Sequence, residues 1–143
     1  MLDEAFELLS KLAGNDDPLA TIELGTRYLE ADWEGVKILD SDIEKARKLM
    51  DQGQTLLQSL ANDGDAEAMR MLGYTYLGLL GVFDKSLSLG EEWLVRSFEA
   101  GCHFAANDLC TFYQGSDIEK AKYYYSEAER KGCRVVQNEN LET

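Results

Sequence analysis

Apolar residues recur along this chain at helical spacing, and the pattern is copied three times. Ala20, Leu24 and Tyr28 lie at i, i+4 and i+8, with Gly25 beside the stripe and Leu29 after it. A shift of 48 residues gives Ala68, Leu72, Gly73, Tyr76 and Leu77, identical at all five positions. A further shift of 37 gives Ala105, Leu109, Cys110, Tyr113 and Gln114, where alanine, leucine and tyrosine persist. These stripes predict three A helices, over about 17–31, 65–78 and 102–114.

Each A segment is followed by a second pattern that ends in glycine. Counting back from Gly64, Gly101 and Gly132 aligns Gly53, Gly90 and Ala121, then Leu56, Trp93 and Tyr124. Leu57, Leu94 and Tyr125 come next, and then Leu60, Ser97 and Ala128. Small residues at the first position suit a close helix approach, and the final glycines suit a left-handed C-terminal cap. B helices are therefore predicted near about 42–62, 88–100 and 117–131. The run Asp42-Ile43-Glu44-Lys45-Ala46 recurs letter for letter as Asp117-Ile118-Glu119-Lys120-Ala121, each with an N-cap aspartate. Ala46, however, precedes Gly53 by seven residues, so the first B helix is either two turns longer than the others or kinked near Gly53.

An orphan copy of the B pattern opens the chain. Ala5, Leu8, Leu9, Leu12 and Ala13 have the spacing of Gly53, Leu56, Leu57, Leu60 and Ala61. The expected layout is one domain over 1–143: a capping helix at 2–13, repeats at 17–64, 65–101 and 102–132, and a polar tail at 133–143. The tail lacks periodicity and is expected to be partly disordered.

Charge changes this picture more than composition does. The chain holds 27 acidic and 14 basic residues, a net charge of −13, which argues against nucleic-acid and anionic-membrane partners. The acids are uneven, with 16 of the 27 in residues 1–70. No stretch has the length of a membrane-spanning helix, and the acidic start lacks the basic region of a secretory signal, so a cytoplasmic protein is expected. Three cysteines, Cys102, Cys110 and Cys133, read as buried reduced thiols.

An A helix with Ala-x3-Leu-Gly-x2-Tyr, a Gly-Val loop with a later Asp, and a B helix ending in Gly resembles the Sel1-like repeat. The loop stands here as Gly78-Leu79-Leu80-Gly81-Val82-Phe83-Asp84, and more weakly as Gly35-Val36 with Asp40. The resemblance covers about residues 17–132. It implies an all-α fold: a right-handed α-solenoid of three Sel1-like helix pairs, related to the tetratricopeptide class, behind the N-terminal capping helix. It also implies an interaction scaffold, adaptor or regulatory, of a kind frequent in bacteria. Some secreted relatives pair cysteines within each repeat, whereas this chain has cysteine only in and just after its third.

Candidate chemistry is sparse. His103 adjoins Cys102, with Cys110 further along, but zinc normally takes four ligands and nothing in this spacing demands a site. Adjacent residues point about 100° apart on a helix, so Cys102 and His103 make a poor catalytic dyad. No phosphate-cradling glycine loop or hydrolase motif is present. The expectation is no enzyme, no metal, no cofactor and no small-molecule substrate.

Binding is the expected activity, with a protein partner that is basic. The insertion from Glu30 to Ser41 carries Trp33 between Asp32 and Glu34. Trp33 either folds back on the first helix pair or serves as an aromatic anchor in an acidic rim. A helices usually line the ligand-bearing face of an α-solenoid, which adds Glu23, Arg27, Arg70, Tyr74, Asn107, Asp108 and Thr111 to Glu30, Asp32, Trp33 and Glu34 as candidate contacts. Two readings follow: a generic adaptor, or an immunity- or antitoxin-type inhibitor that neutralises a basic toxin or nuclease.

Overall fold

The computed structural model describes residues 4–30, 43–133 and 139–141. Among these the chain forms α1 (Glu4–Gly14), α2 (Pro18–Glu30), α3 (Ile43–Asn62), α4 (Ala66–Leu77), α5 (Leu87–Glu99), α6 (Ala105–Tyr113), α7 (Ile118–Arg130) and a 3-10 turn, Glu139–Leu141, with no strand. None of these helices is long and apolar enough to cross a membrane.

Each helix packs on its neighbours in sequence, most closely within the pairs α2/α3, α4/α5 and α6/α7. The result is an all-α, solenoid-like stack with α1 laid against α2. Its core runs along the stack as successive clusters. Ile22, Leu57, Ala61, Ala68, Leu72 and Trp93 form one cluster, and Leu94, Leu109, Cys110, Tyr113, Ala121, Tyr125 and Leu141 the next. Of the consecutive tyrosines, Tyr125 is buried, Tyr124 half-buried and Tyr123 exposed.

Local chemistry sets the helix ends. Gly64, Gly101 and Gly132 all have positive φ, at 97°, 109° and 74°. In each case the next N–H returns to a carbonyl five residues back: Asp65 to Leu60, Cys102 to Ser97, and Cys133 to Ala128. Asp17, Asp65 and Asp117 cap α2, α4 and α7, accepting from the amides of Ala20, Ala68 and Lys120. The same position in the third A segment is Cys102, which cannot cap in this way. Residues 102–104 form a turn instead, and α6 begins at Ala105 rather than at 102. Asp42, the expected cap of α3, lies outside the described residues.

Packing across the pairs corrects the B-helix alignment. A Cβ on Gly73 would sit 2.9 Å from Leu94 Cγ and 3.3 Å from Gly90 O, so Gly73 and Gly90 mark the α4/α5 crossing. The equivalent Gly25 meets Ala46 O at 2.9 Å, not Gly53. Gly53 instead faces Pro18 O and Ile22 near the start of α2. Across the pair, Ala46 therefore corresponds to Gly90, and the repeated Asp-Ile-Glu-Lys-Ala run is the true register mark. α3 is one uninterrupted 20-residue helix, against 13 residues for α5 and α7. Its two extra turns run past the beginning of α2, which explains why Leu60 is exposed.

Two further expectations change at the ends of the stack. α1 buries Ala13 and half-buries Phe6 and Leu9, but Leu8 and Leu12 remain exposed, so its apolar surface is only partly used. The segment expected to be a polar tail contributes buried Cys133 and Leu141. Leu141 returns to the cluster around α6 and α7, so part of residues 133–143 belongs to the core.

Candidate functional site

The expected A-helix surface contains one tightly joined polar cluster. Arg70 and Tyr74 lie four residues apart on α4 and so share a face. Asp108 comes from α6. The Arg70 guanidinium donates to Asp108 through Nε at 2.6 Å, with a longer contact from Nη2 at 3.4 Å. Nη2 also donates to the Tyr74 hydroxyl at 2.7 Å, and that hydroxyl donates to Asp108 Oδ1 at 2.6 Å. Glu67, one turn earlier on α4, adds a 3.5 Å ion pair to Arg70. The guanidinium lies over the Tyr74 ring and, 5.7 Å away, over that of Phe104.

This junction is polar because of the repeat register. Arg70 and Tyr74 occupy the positions that Ile22 and Thr26 hold in the first A helix. Asp108 occupies the position of Met71, which packs against the cluster containing Ile22. One repeat earlier the same three positions thus hold Ile22, Thr26 and Met71, none of them charged. An ionic junction needs fixed partners, and the three side chains supply them for one another.

Their protonation states follow from the geometry. Burial pushes the Tyr74 phenol up, and the adjacent Asp108 pushes it further, against the opposing effect of Arg70. For Arg70 burial works against the charge, but the hydrogen bond and charge of Asp108, helped by Tyr74 and Glu67, outweigh it and hold the guanidinium above its ordinary value. At neutral pH this is a neutral phenol beside a fixed cation. Both groups hold their protons at neutral pH, so the cluster is a fixed polar junction between α4 and α6.

The remaining candidates divide. Glu23 and Arg27 form an exposed i,i+4 pair at 3.3 Å on α2. Thr111 is exposed on α6. Asn107 turns away from Asp108, and its amide donates to the backbone carbonyl of Cys133, tying α6 to the end of α7. The Glu30 side chain and Asp32, Trp33 and Glu34 lie outside the described residues.

Several contributors were not singled out from sequence. Phe104, half exposed, borders Arg70. Glu67 links Arg70 to Cys102, whose thiol donates to it at 3.4 Å. Glu67 and Arg70 stand at i and i+3, a legible pairing signal; Phe104 carries no such signal. A second inter-helix hydrogen bond joins the Tyr113 hydroxyl of α6 to Glu91 of α5, with Lys120 over the Tyr113 ring. Burial and then Glu91 push that phenol up. The thiols are not all alike: Cys110 and Cys133 are buried, whereas Cys102 is only half-buried. Burial raises both Cys110 and Cys133 above the usual thiol range, and Cys133 donates to the His103 carbonyl at 3.0 Å. Among the described residues no group of three or more His, Cys, Asp or Glu is placed to hold a metal ion.

No family model and no curated protein matches the chain. Among solved structures it is similar to a Sel1 repeat protein from Oxalobacter formigenes, at 28% identity and a TM-score of 0.48. The likeness covers 89% of this chain and 49% of the other, so this chain spans about half the length of that protein.

Proposed function

We propose that the chain is a non-catalytic protein-interaction module, an adaptor or regulatory scaffold that binds a basic partner through an acidic surface. The observation that carries this reading is the row of A helices. The Arg70–Tyr74–Asp108 cluster fixes α4 to α6, with Phe104 exposed in the turn beside it, while Glu23 and Arg27 of α2 and Thr111 of α6 keep exposed side chains. A rigid row with adaptable side chains at its margins suits recognition of another protein. The net charge of −13 favours a cationic partner and adds long-range steering. A cytoplasmic setting in a bacterium belongs to the same reading.

The concentration of acids in residues 1–70 favours a second, narrower reading: an immunity-type inhibitor that occludes a basic toxin or nuclease. One experiment addresses both. A partner recovered on the immobilised chain is purified, and its association rate is measured from low to physiological salt. The expected result is a rate that falls steeply with salt and falls again in Glu23→Lys and in the Asp32→Lys/Glu34→Lys double variant. Trp33→Ala tests the aromatic anchor. Stoichiometric binding that abolishes an activity of the partner selects the inhibitor; binding without inhibition selects the adaptor. Rates indifferent to salt and to every variant overturn the acidic-surface reading.

A further inference from the structure

The N-terminal helix presents an unused half of its apolar surface, and the internal repeat indicates what fits there. At about 100° per residue, Ala5, Leu8, Leu12, Leu9, Ala13 and Phe6 span an apolar arc about 160° wide on α1. One half of it, Phe6, Leu9 and Ala13, faces α2, with Phe6 edge-on to Tyr28. The other half, Ala5, Leu8 and Leu12, is exposed, Leu8 to 56% and Leu12 to 36%.

In the second pair the same positions are covered. Counted from their C-terminal ends, α1 and α5 align so that Ala5, Leu8 and Leu12 correspond to Gly90, Trp93 and Ser97, all buried. Gly90 faces Leu77 and Gly73 of α4, and Ser97 donates to Ala66 O at the start of α4. These are the contacts of a B helix with the A helix of its own pair. α1 is a B-type helix, and among the described residues no A helix covers its exposed half, which is the seat that one would occupy. Leu60 makes the same point within α3, for it is exposed where α2 has ended.

We infer that this face of α1 binds an amphipathic helix of a basic partner protein, in the manner of an A helix. The small residue Ala5 allows an approach of the kind Ala46 makes against Gly25, and Leu8 and Leu12 provide the apolar contact. The partner helix carries alanine or glycine at the crossing and leucine one turn away. Lysine or arginine flanks this face, because the adjoining edge of α1 bears Glu4 and Glu7 against the single Lys11. A second copy of the chain is disfavoured on two counts. Its A helices α2, α4 and α6 already pack on α3, α5 and α7, and each copy carries a charge of −13. The seat is distinct from the α4/α6 cluster, so the two surfaces stand or fall separately.

The test uses the full chain with methyl-labelled leucine and two synthetic helices of about 18 residues, long enough to be helical in water. Both carry the apolar face of residues 66–77; one has lysine at its outward positions and the other glutamate. The Leu8 and Leu12 methyl resonances are expected to shift and saturate with the lysine helix. Affinity is expected to fall at least about tenfold with the glutamate helix, and likewise with the Leu8→Ser/Leu12→Ser variant. These leucines are exposed, so the variant retains the fold, which circular dichroism checks. Absence of shifts, or shifts centred away from α1, overturns the inference. So does a sedimenting dimer that the double variant abolishes, since that assigns the face to a second copy.

Discussion

Gly53→Ala separates two opposed expectations. Gly53 lies inside a 20-residue helix, where alanine is ordinarily better than glycine by about 1 kcal/mol. Propensity alone therefore predicts stabilisation. The packing predicts the reverse. A Cβ at this position would lie 2.5 Å from Ile22 Cγ1, 2.9 Å from Pro18 O and 3.1 Å from the Ile22 amide nitrogen. Two of these three atoms are backbone, so rotamer change in Ile22 cannot relieve them and α2 must move away from α3. Overpacking of this kind costs about 1–3 kcal/mol, and here the upper part of that range applies because the obstruction is rigid. After subtracting the propensity gain, the net loss is about 1–2 kcal/mol, or a fall in Tm of roughly 3–8 °C. Gly14→Ala is the matched control. That glycine ends α1 with no heavy atom within 4 Å of a new Cβ, so alanine there is expected to be neutral or to stabilise by up to about 1 kcal/mol. Urea unfolding followed by circular dichroism measures both. A Gly53→Ala protein as stable as wild type, or more so, would refute the close α2/α3 approach.

Four further outcomes follow from these contacts. Asp108→Ala leaves Arg70 and Tyr74 without their shared acceptor and is expected to cost about 2–3 kcal/mol in urea unfolding. Arg27→Ala, in an exposed pair, should change stability by less than about 0.5 kcal/mol. Tyr74 and Tyr113 both hold their protons more tightly when folded than the ordinary phenol value of about 10. Their contribution is therefore complete below about pH 10 and is lost as pH rises above it, because the unfolded chain releases those protons first. Stability measured from pH 8 to 11 should fall at the alkaline end, less steeply in Tyr74→Phe; an identical slope in that variant would count against the cluster. Leu141→Ala removes a buried side chain from the α6/α7 cluster and is expected to cost about 2–3 kcal/mol by the same assay. An unchanged midpoint would place Leu141 outside the core.

The repeat made much of this architecture legible in advance. Helical periodicity reports which face of each segment is apolar, and short-range chemistry reports where a segment ends. The positive φ at Gly64, Gly101 and Gly132 and the caps at Asp65 and Asp117 are local matters, settled within five residues of sequence. The α6 start shows the same principle in reverse, since Cys102 for aspartate removes the cap and shortens the helix.

What sequence could not decide is how segments meet. Counting back from the terminal glycines aligned Gly53 with Gly90, yet Gly25 packs on Ala46, because register between two helices is set by close backbone approach across the pair. The polar candidates were found as a set of separate surface positions. Only the stacking of α4 on α6 turned Arg70, Tyr74 and Asp108 into one hydrogen-bonded unit and sent Asn107 elsewhere. Leu141 and Cys133 stood in a stretch without periodicity, and a single buried side chain returning from a tail leaves no repeating signal. By itself the sequence determined the helices, their ends and the apolar face of each, all consequences of neighbours along the chain. The tertiary structure alone decided which faces are covered, which polar groups find partners, and that half of α1 is left open, because those depend on distances between residues that only folding brings together.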